Sequence, residues 1–347
     1  MKYGSKKRHC GIPGVGIFPA VFFLIFTCQG IAAADSATDT DAFQDCLLRV
    51  LETAPDGTTI DELRRQCQEE QLADGENKDM DILATRIYTD KANVLRPYTL
   101  MAHKPNYFLV ACYNNNPNTD PYREIPGDTN ENLDKVETQF QVSIKVPLAV
   151  NLFKNKMDIF GAYTVRSFWQ AYNKDLSAVF RETNHSPEVW VQFHNNRSFW
   201  GIKNTLYGFG FVHQSNGRNE PISRSWNRIF ANFIFEKGNL AFSIKPWYRI
   251  PEDSKDDDNS DITDYMGHGE LGAAYKWNQN TFAVMSRNNL ESGFRKGAIE
   301  ATWSFPLWNY KYLKGYIQGF TGYGQSMIDY DSKETTLGIG FAATDVL

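Results

Sequence analysis

The sequence predicts an all-β protein: an antiparallel transmembrane β-barrel of about twelve strands with a short helical N-terminal extension. Three observations carry that expectation. Aromatic residues make up 14% of the 347-residue chain although its mean hydropathy is −0.46, so large rings are abundant in a chain that is polar overall. From Asn106 to the C-terminus, segments of roughly ten residues alternate with period two. The connections between those segments alternate between long and short, as they do in barrels with short turns on one side of a membrane and long loops on the other.

At the N-terminus, Lys2, Lys6, Lys7 and Arg8 precede the apolar run VGIFPAVFFLIF, and Ala32, Ala33 and Ala34 stand before Asp35. This order of basic, apolar and small residues predicts a secretory signal peptide over 1–34. The apolar run is short for a helix that spans a bilayer and ends in small residues. With a net charge of −5, no basic stripe emerges to neutralise phosphates, which argues against a nucleic-acid partner.

Residues 35–100 are charged, helix-capable and poor in aromatics, and read as a periplasmic extension. Two amphipathic patterns, DAFQDCLLRVLE and TTIDELRRQCQ, flank the turn-like APDG. In an oxidising compartment Cys46 and Cys67 read as a disulfide clamping a helical hairpin, with free thiols as the alternative. No histidine accompanies them, so zinc is not expected. Cys112 falls in a strand pattern and is assigned no role.

The barrel domain is expected over 101–347, with strands near 106–113, 135–147, 158–171, 187–196, 202–215, 225–236, 240–250, 267–277, 280–288, 295–305, 311–322 and 335–345. With the N-terminus in the periplasm, odd-numbered strands run outward. The fifth strand shows its faces most clearly: Tyr207, Phe209 and Phe211 fall on one, Gly208, Gly210 and Val212 on the other. Large rings suit lipid and small residues suit a crowded lumen. On the sixth, Ile229, Ala231, Phe233 and Phe235 share the outward face, while Arg228, Asn232 and Glu236 point inward.

The stretch HQSNGRNEPISRSWNR, residues 213–228, joins these two strands. His213 and Ser215 are two apart, so both project to the outward face. A hairpin tip near residue 220 places Asn227 opposite His213, because the two are equidistant from the tip. Ser215 is a poor nucleophile until a base takes its proton, His213 can act as that base near neutral pH, and Asn227 can fix the ring tautomer. Beside lipid, an amide orients the ring without the desolvation cost of a carboxylate. A lone H-x-S is a weak signal, and polar residues at a loop margin are usually just solvated. The convergence of three such residues through an independently argued topology is what favours chemistry.

Together with FRETN at 180–184 and KPWYRIPED at 245–253, this stretch resembles the outer-membrane phospholipase A family, over roughly residues 95–347. The resemblance implies a twelve-stranded outer-membrane enzyme with Ser215 as nucleophile, His213 as base and Asn227 as orienter. It also implies a calcium-dependent homodimer acting on membrane phospholipids. Ca²⁺ would be held by the carbonyls of Arg218 and Ser223 and by Ser177 across the dimer, and the Gly217 N–H would help polarise the ester carbonyl. Two departures stand out: Gln214 replaces an aspartate at an inward position, and Val165 stands where the family carries a glutamine at its dimer contact.

The acidic run PEDSKDDDNSDITD has Asp257, Asn259 and Asp261 at alternating positions, but Ile262 replaces the glycine of a calcium loop, so it reads as a solvated external loop. The competing class of function is a small porin-like barrel whose H-x-S face only touches headgroups. A soluble secreted esterase would need a G-x-S-x-G elbow, and no serine here has one.

Overall fold

The computed structural model describes Cys46, Val50, Glu62, Leu63, Cys67 and residues 82–347 except 95–98, 125–131, 179, 254, 256 and 309. The expected signal peptide lies outside the described residues, as does most of the expected hairpin. The chain divides into two compact units, one up to Gln71 and one from Leu72 onward. In the first, Cys46 and Cys67 form a disulfide and pack with Val50 and Leu63 in a small buried cluster.

The second unit is a closed antiparallel barrel. Its strands are β1 (Asn106–Asn114), β2 (Val136–Asn151), β3 (Met157–Trp169), β4 (Glu182–Phe199), β5 (Ile202–Ser215) and β6 (Ser225–Lys237). They continue as β7 (Leu240–Ile250), β8 (Gly269–Trp277), β9 (Asn280–Asn288), β10 (Gly297–Leu307), β11 (Tyr310–Tyr323) and β12 (Lys333–Thr344). Each pairs with its sequence neighbour, and β12 pairs with β1 through Phe341 and Phe108, which removes both sheet edges. A two-residue ladder at Met101–Ala102 adds to the inner part of β2.

The twelve strands and their faces are those that the alternation predicts. Phe209, Phe211 and Ile229 are 47%, 38% and 50% exposed on the outer wall, whereas Val212, Trp226 and Phe230 are buried in the lumen. Two-residue turns join β4 to β5 and β6 to β7, with Trp200, Gly201 and Gly238 at positive φ, the backbone that a tight hairpin requires. The largest difference is the start of β4, at Glu182 rather than near 187, and β2 and β4 also run on to Asn151 and Phe199 rather than 147 and 196. Glu182, Asn184 and Ser186 all point into the lumen and are buried, so this part of the strand has no apolar rhythm although it is fully paired with β3.

Polar networks line the lumen. At the long-loop end, buried Arg181 grips both carboxylate oxygens of Glu137 at 3.0 and 3.1 Å and Oδ2 of Asp329 at 3.0 Å. Asp329 belongs to the β11–β12 connection, which folds into the mouth and buries Met327 and Ile328. Midway, Glu188 accepts from Lys104 and meets His103, each at 2.8 Å. At the opposite end helix α1 (Ile82–Val94) packs Ile82 and Leu83 on Ala241 and binds the inner wall through Leu83 N–H to Glu236 (3.0 Å) and Asp90 to Lys145 (2.5 Å).

Removing one partner of a buried ion pair strands the remaining charge. Replacing Arg181 with Met leaves Glu137 and Asp329 without their cation, and the expected loss is about 3–5 kcal/mol of unfolding free energy. Urea titration of the protein refolded into lipid vesicles checks this, and an unchanged midpoint would refute it.

Candidate active site

The β5–β6 hairpin carries the site because its ladder runs without interruption from Leu206↔Ile234 to Ser215↔Ser225. Within that ladder His213 lies directly opposite Asn227, as the sequence predicts. The two side chains meet on the outer wall, His213 Nδ1 being 2.9 Å from Asn227 Oδ1. The amide oxygen can only accept, so Nδ1–H is the donor, and in the neutral ring the lone pair falls on Nε2.

The Asn227 amide is itself held. Its Nδ2 donates to Glu252 Oε1 at 2.7 Å, which keeps Oδ1 turned toward the histidine. Sequence reasoning missed Glu252, which stands just past the end of β7. The pairing of Asn227 with Ile250 and the period of two put it on the same face. A carboxylate therefore stands behind the amide, two residues past the position that pairs with Asn227.

Ser215 follows His213 on the same face, about 6.8 Å along the strand. Its hydroxyl makes no hydrogen bond to the ring among the described residues. Apo catalytic contacts are commonly loose and tighten with substrate. On the lumen side, Gln214 accepts from Trp226 Nε1 (3.0 Å) and Arg228 Nη2 (2.9 Å), so the inward residue between His213 and Ser215 anchors both strands.

Beyond Ser215 the chain turns through a loop closed by Asn216. Its N–H donates to the Arg224 carbonyl at 3.0 Å, and its Oδ1 accepts from the N–H groups of Arg218 and Arg224 at 3.2 and 3.0 Å. Gly217 sits at φ +64 in the left-handed region that glycine adopts without strain. Its N–H donates to no described residue. Arg218 ties this loop to the β3–β4 loop, donating to the carbonyls of Phe180 and Arg181 at 2.9 and 3.0 Å.

The metal-ligand candidates are only partly assembled. Arg218 and Ser223 lie on the same loop, whereas Ser177 is on the β3–β4 loop, its carbonyl accepting from Trp169 Nε1 at 2.9 Å. No hydrogen bond joins it to Arg218 or Ser223 within one chain. The Ser223 hydroxyl donates to Asp258, and its carbonyl accepts from Arg224 Nη1 at 2.6 Å. Glu220 also lies at Asp258, and the hydrogen bond and like charge between them raise its carboxyl above the usual range. Among the described residues no three His, Cys, Asp or Glu side chains form a metal-binding group.

The acidic run is not simply solvated. Asn259 is buried and accepts from the Ser225 N–H at 2.9 Å, Asp257 pairs with Arg249 at 2.5 Å and Asp261 accepts from Tyr330 at 2.7 Å. This loop braces the hairpin from behind. Its charge density disguised that role, since the polar residues that buttress and those that merely face water look alike in sequence.

The model of the family described as Phospholipase A1 matches residues 83–343. Phospholipase A1 of Proteus vulgaris is 35% identical over 261 residues, covering 74% of this chain and 86% of that one. A crystal structure of the Salmonella typhi outer-membrane phospholipase dimer with bound calcium superposes with a TM-score of 0.68 at 33% identity, over 74% of this chain and 97% of that one. The Escherichia coli outer-membrane phospholipase A, in a form whose active-site asparagine is replaced by alanine, gives 0.68 at 32% identity over 74% and 97%.

Proposed function

Because this chain belongs to the phospholipase A1 family, we propose that it is an outer-membrane enzyme hydrolysing acyl esters of phospholipids and lysophospholipids through Ser215, His213 and Asn227. The observation that carries this reading is the 2.9 Å contact between His213 and Asn227 on the outer wall, two residues along the strand from Ser215. A porin-like channel is disfavoured by a helix and a folded-in loop that are bound to the lumen wall at its two ends.

The chemistry follows from the geometry. Ser215 Oγ attacks the acyl carbon as His213 Nε2 takes its proton. The tetrahedral oxyanion accepts from the free Gly217 N–H. Collapse breaks the ester C–O bond, and the departing glycerol oxygen takes the proton back from the imidazolium. Water then attacks the acyl-serine, gives a proton to Nε2, and the fatty acid leaves as Ser215 is reprotonated. Asn227 keeps the ring in the productive tautomer throughout, and Glu252 keeps Asn227 from flipping.

Calcium and a second copy of the chain belong to the same reading. The donors are hard oxygens, the Arg218 carbonyl and Ser223, with Asp258 and Glu220 close by to offset a divalent charge. Arg224 now occupies the Ser223 carbonyl and has to turn aside for that oxygen to serve as a ligand. When bound, Ca²⁺ would supply positive charge beside the ester carbonyl oxygen. Ser177, on the β3–β4 loop, would complete the set from the partner copy.

In detergent–phospholipid micelles with calcium, Ser215→Ala is expected to release no fatty acid above background, and chelation of calcium is expected to silence the wild type. Equal release by both proteins would overturn the assignment of the nucleophile. Glu252→Ala frees the Asn227 amide, and we expect kcat to fall about tenfold with KM little changed, a loss of about 1.4 kcal/mol in transition-state stabilisation. Steady-state kinetics measure it, with Glu252→Gln expected to fall in between.

A further inference from the structure

A second histidine stands beside Ser215. In the β4–β5 ladder His185 is the direct cross-strand partner of Ser215, on the opposite side from Ser225. Cross-strand partners have Cβ atoms about 5 Å apart. His185 shares the outer face with Val189, which is exposed on the wall, while its neighbours Asn184 and Ser186 are buried in the lumen. The ring is therefore on the substrate side.

Its two nitrogens are differently employed. Nδ1 lies 2.7 Å from the Tyr163 hydroxyl of β3, and the two rings are 6.1 Å apart. The opposite edge lies against Gly217: a Cβ built there would sit 3.6 Å from His185 Cδ2 and 3.7 Å from Nε2. Nε2 thus faces the turn whose free N–H is the candidate oxyanion donor, and it makes no hydrogen bond to any described residue.

We propose that His185 is a second oxyanion donor and hence a catalytic residue: Tyr163 O–H donates to Nδ1, which fixes the tautomer bearing hydrogen on Nε2, and Nε2–H donates to the developing oxyanion beside the Gly217 N–H. The inference rests on the acyl-transfer reading above. Ser215 is then flanked by two imidazoles with opposite duties. His213 presents a lone pair because an amide oxygen accepts from its Nδ1, and His185 presents an N–H because a hydroxyl donates to its Nδ1. Tyr163 is a positioning residue.

The test uses the full chain in micelles at saturating calcium, with a diacyl phosphatidylcholine and a phosphate-free monoacylglycerol as substrates. Dimer content is followed by sedimentation. His185→Phe is expected to lower kcat on both substrates at least tenfold, toward the range that loss of one oxyanion donor produces, with KM nearly unchanged. His185→Gln, which keeps an N–H, is expected to recover part of the rate, and Tyr163→Phe to lose several-fold in kcat.

Wild-type kcat in His185→Phe would overturn the proposal. So would a loss confined to KM for the phosphate-bearing substrate, which marks a headgroup contact, or a loss that tracks disappearance of the dimer. If His185→Phe does not fold, an unchanged kcat in Tyr163→Phe overturns it instead. An inactive Ser215→Ala beside a fully active His185→Phe sinks this inference alone. A fully active Ser215→Ala sinks the reading beneath it.

Discussion

Arg181 is the point on which the outer half of the barrel depends. Its guanidinium joins Glu137 on β2 to Asp329 in the infolded β11–β12 loop, all three side chains being almost wholly buried. Its backbone carbonyl accepts from Arg218, so the same residue fixes the lumen with its side chain and the Ser215–Ser225 loop with its main chain. Tyr122 donates to that carbonyl as well. In a low-dielectric interior such a network is stable only when each member is satisfied. The loop that carries Gly217, the candidate oxyanion donor, is thus tied to charges on the other side of the wall.

The wall itself imposes the chemistry. Inward positions are crowded and polar, outward positions are apolar, and catalytic groups that must meet lipid have to stand on the apolar side. Side chains without a permanent charge suit that side, and the candidates Ser215, His213 and Asn227 stand there beside the Tyr163–His185 pair. The charged members sit one step back, in the loops. Glu252 accepts from Asn227, and Asp258 from Ser223. The arrangement graduates polarity along the barrel axis and keeps each carboxylate near water.

Much of this was legible in the sequence because a strand has a period of two and a hairpin tip fixes register. Those two facts suffice to set Phe209 and Phe211 outward, Val212 and Gln214 inward, and His213 opposite Asn227. What stayed hidden were contacts between segments without a shared periodicity. Glu252 and Asn259 lie in a charge-rich loop where nothing distinguishes a buttress from a solvated residue. The start of β4 was concealed because its inward residues are buried yet polar. His185 was invisible for another reason: its relation to Ser215 depends on the β4–β5 register, which slips between His194 and Arg197 and cannot be counted from the turn. The lumenal seat of α1 depends on single contacts such as Asp90 to Lys145 that no local pattern announces.

The outward placement of the triad candidates changes what concentration means for this molecule. A pocket that opens to water samples solute from three dimensions, whereas a ledge on the outside of a barrel samples neighbours in a two-dimensional sheet. Turnover then scales with the mole fraction of substrate in the surrounding leaflet and with its lateral diffusion. Amphiphiles that dilute that sheet slow the reaction without touching the protein. A leaflet poor in glycerophospholipid is, for such an enzyme, equivalent to starvation.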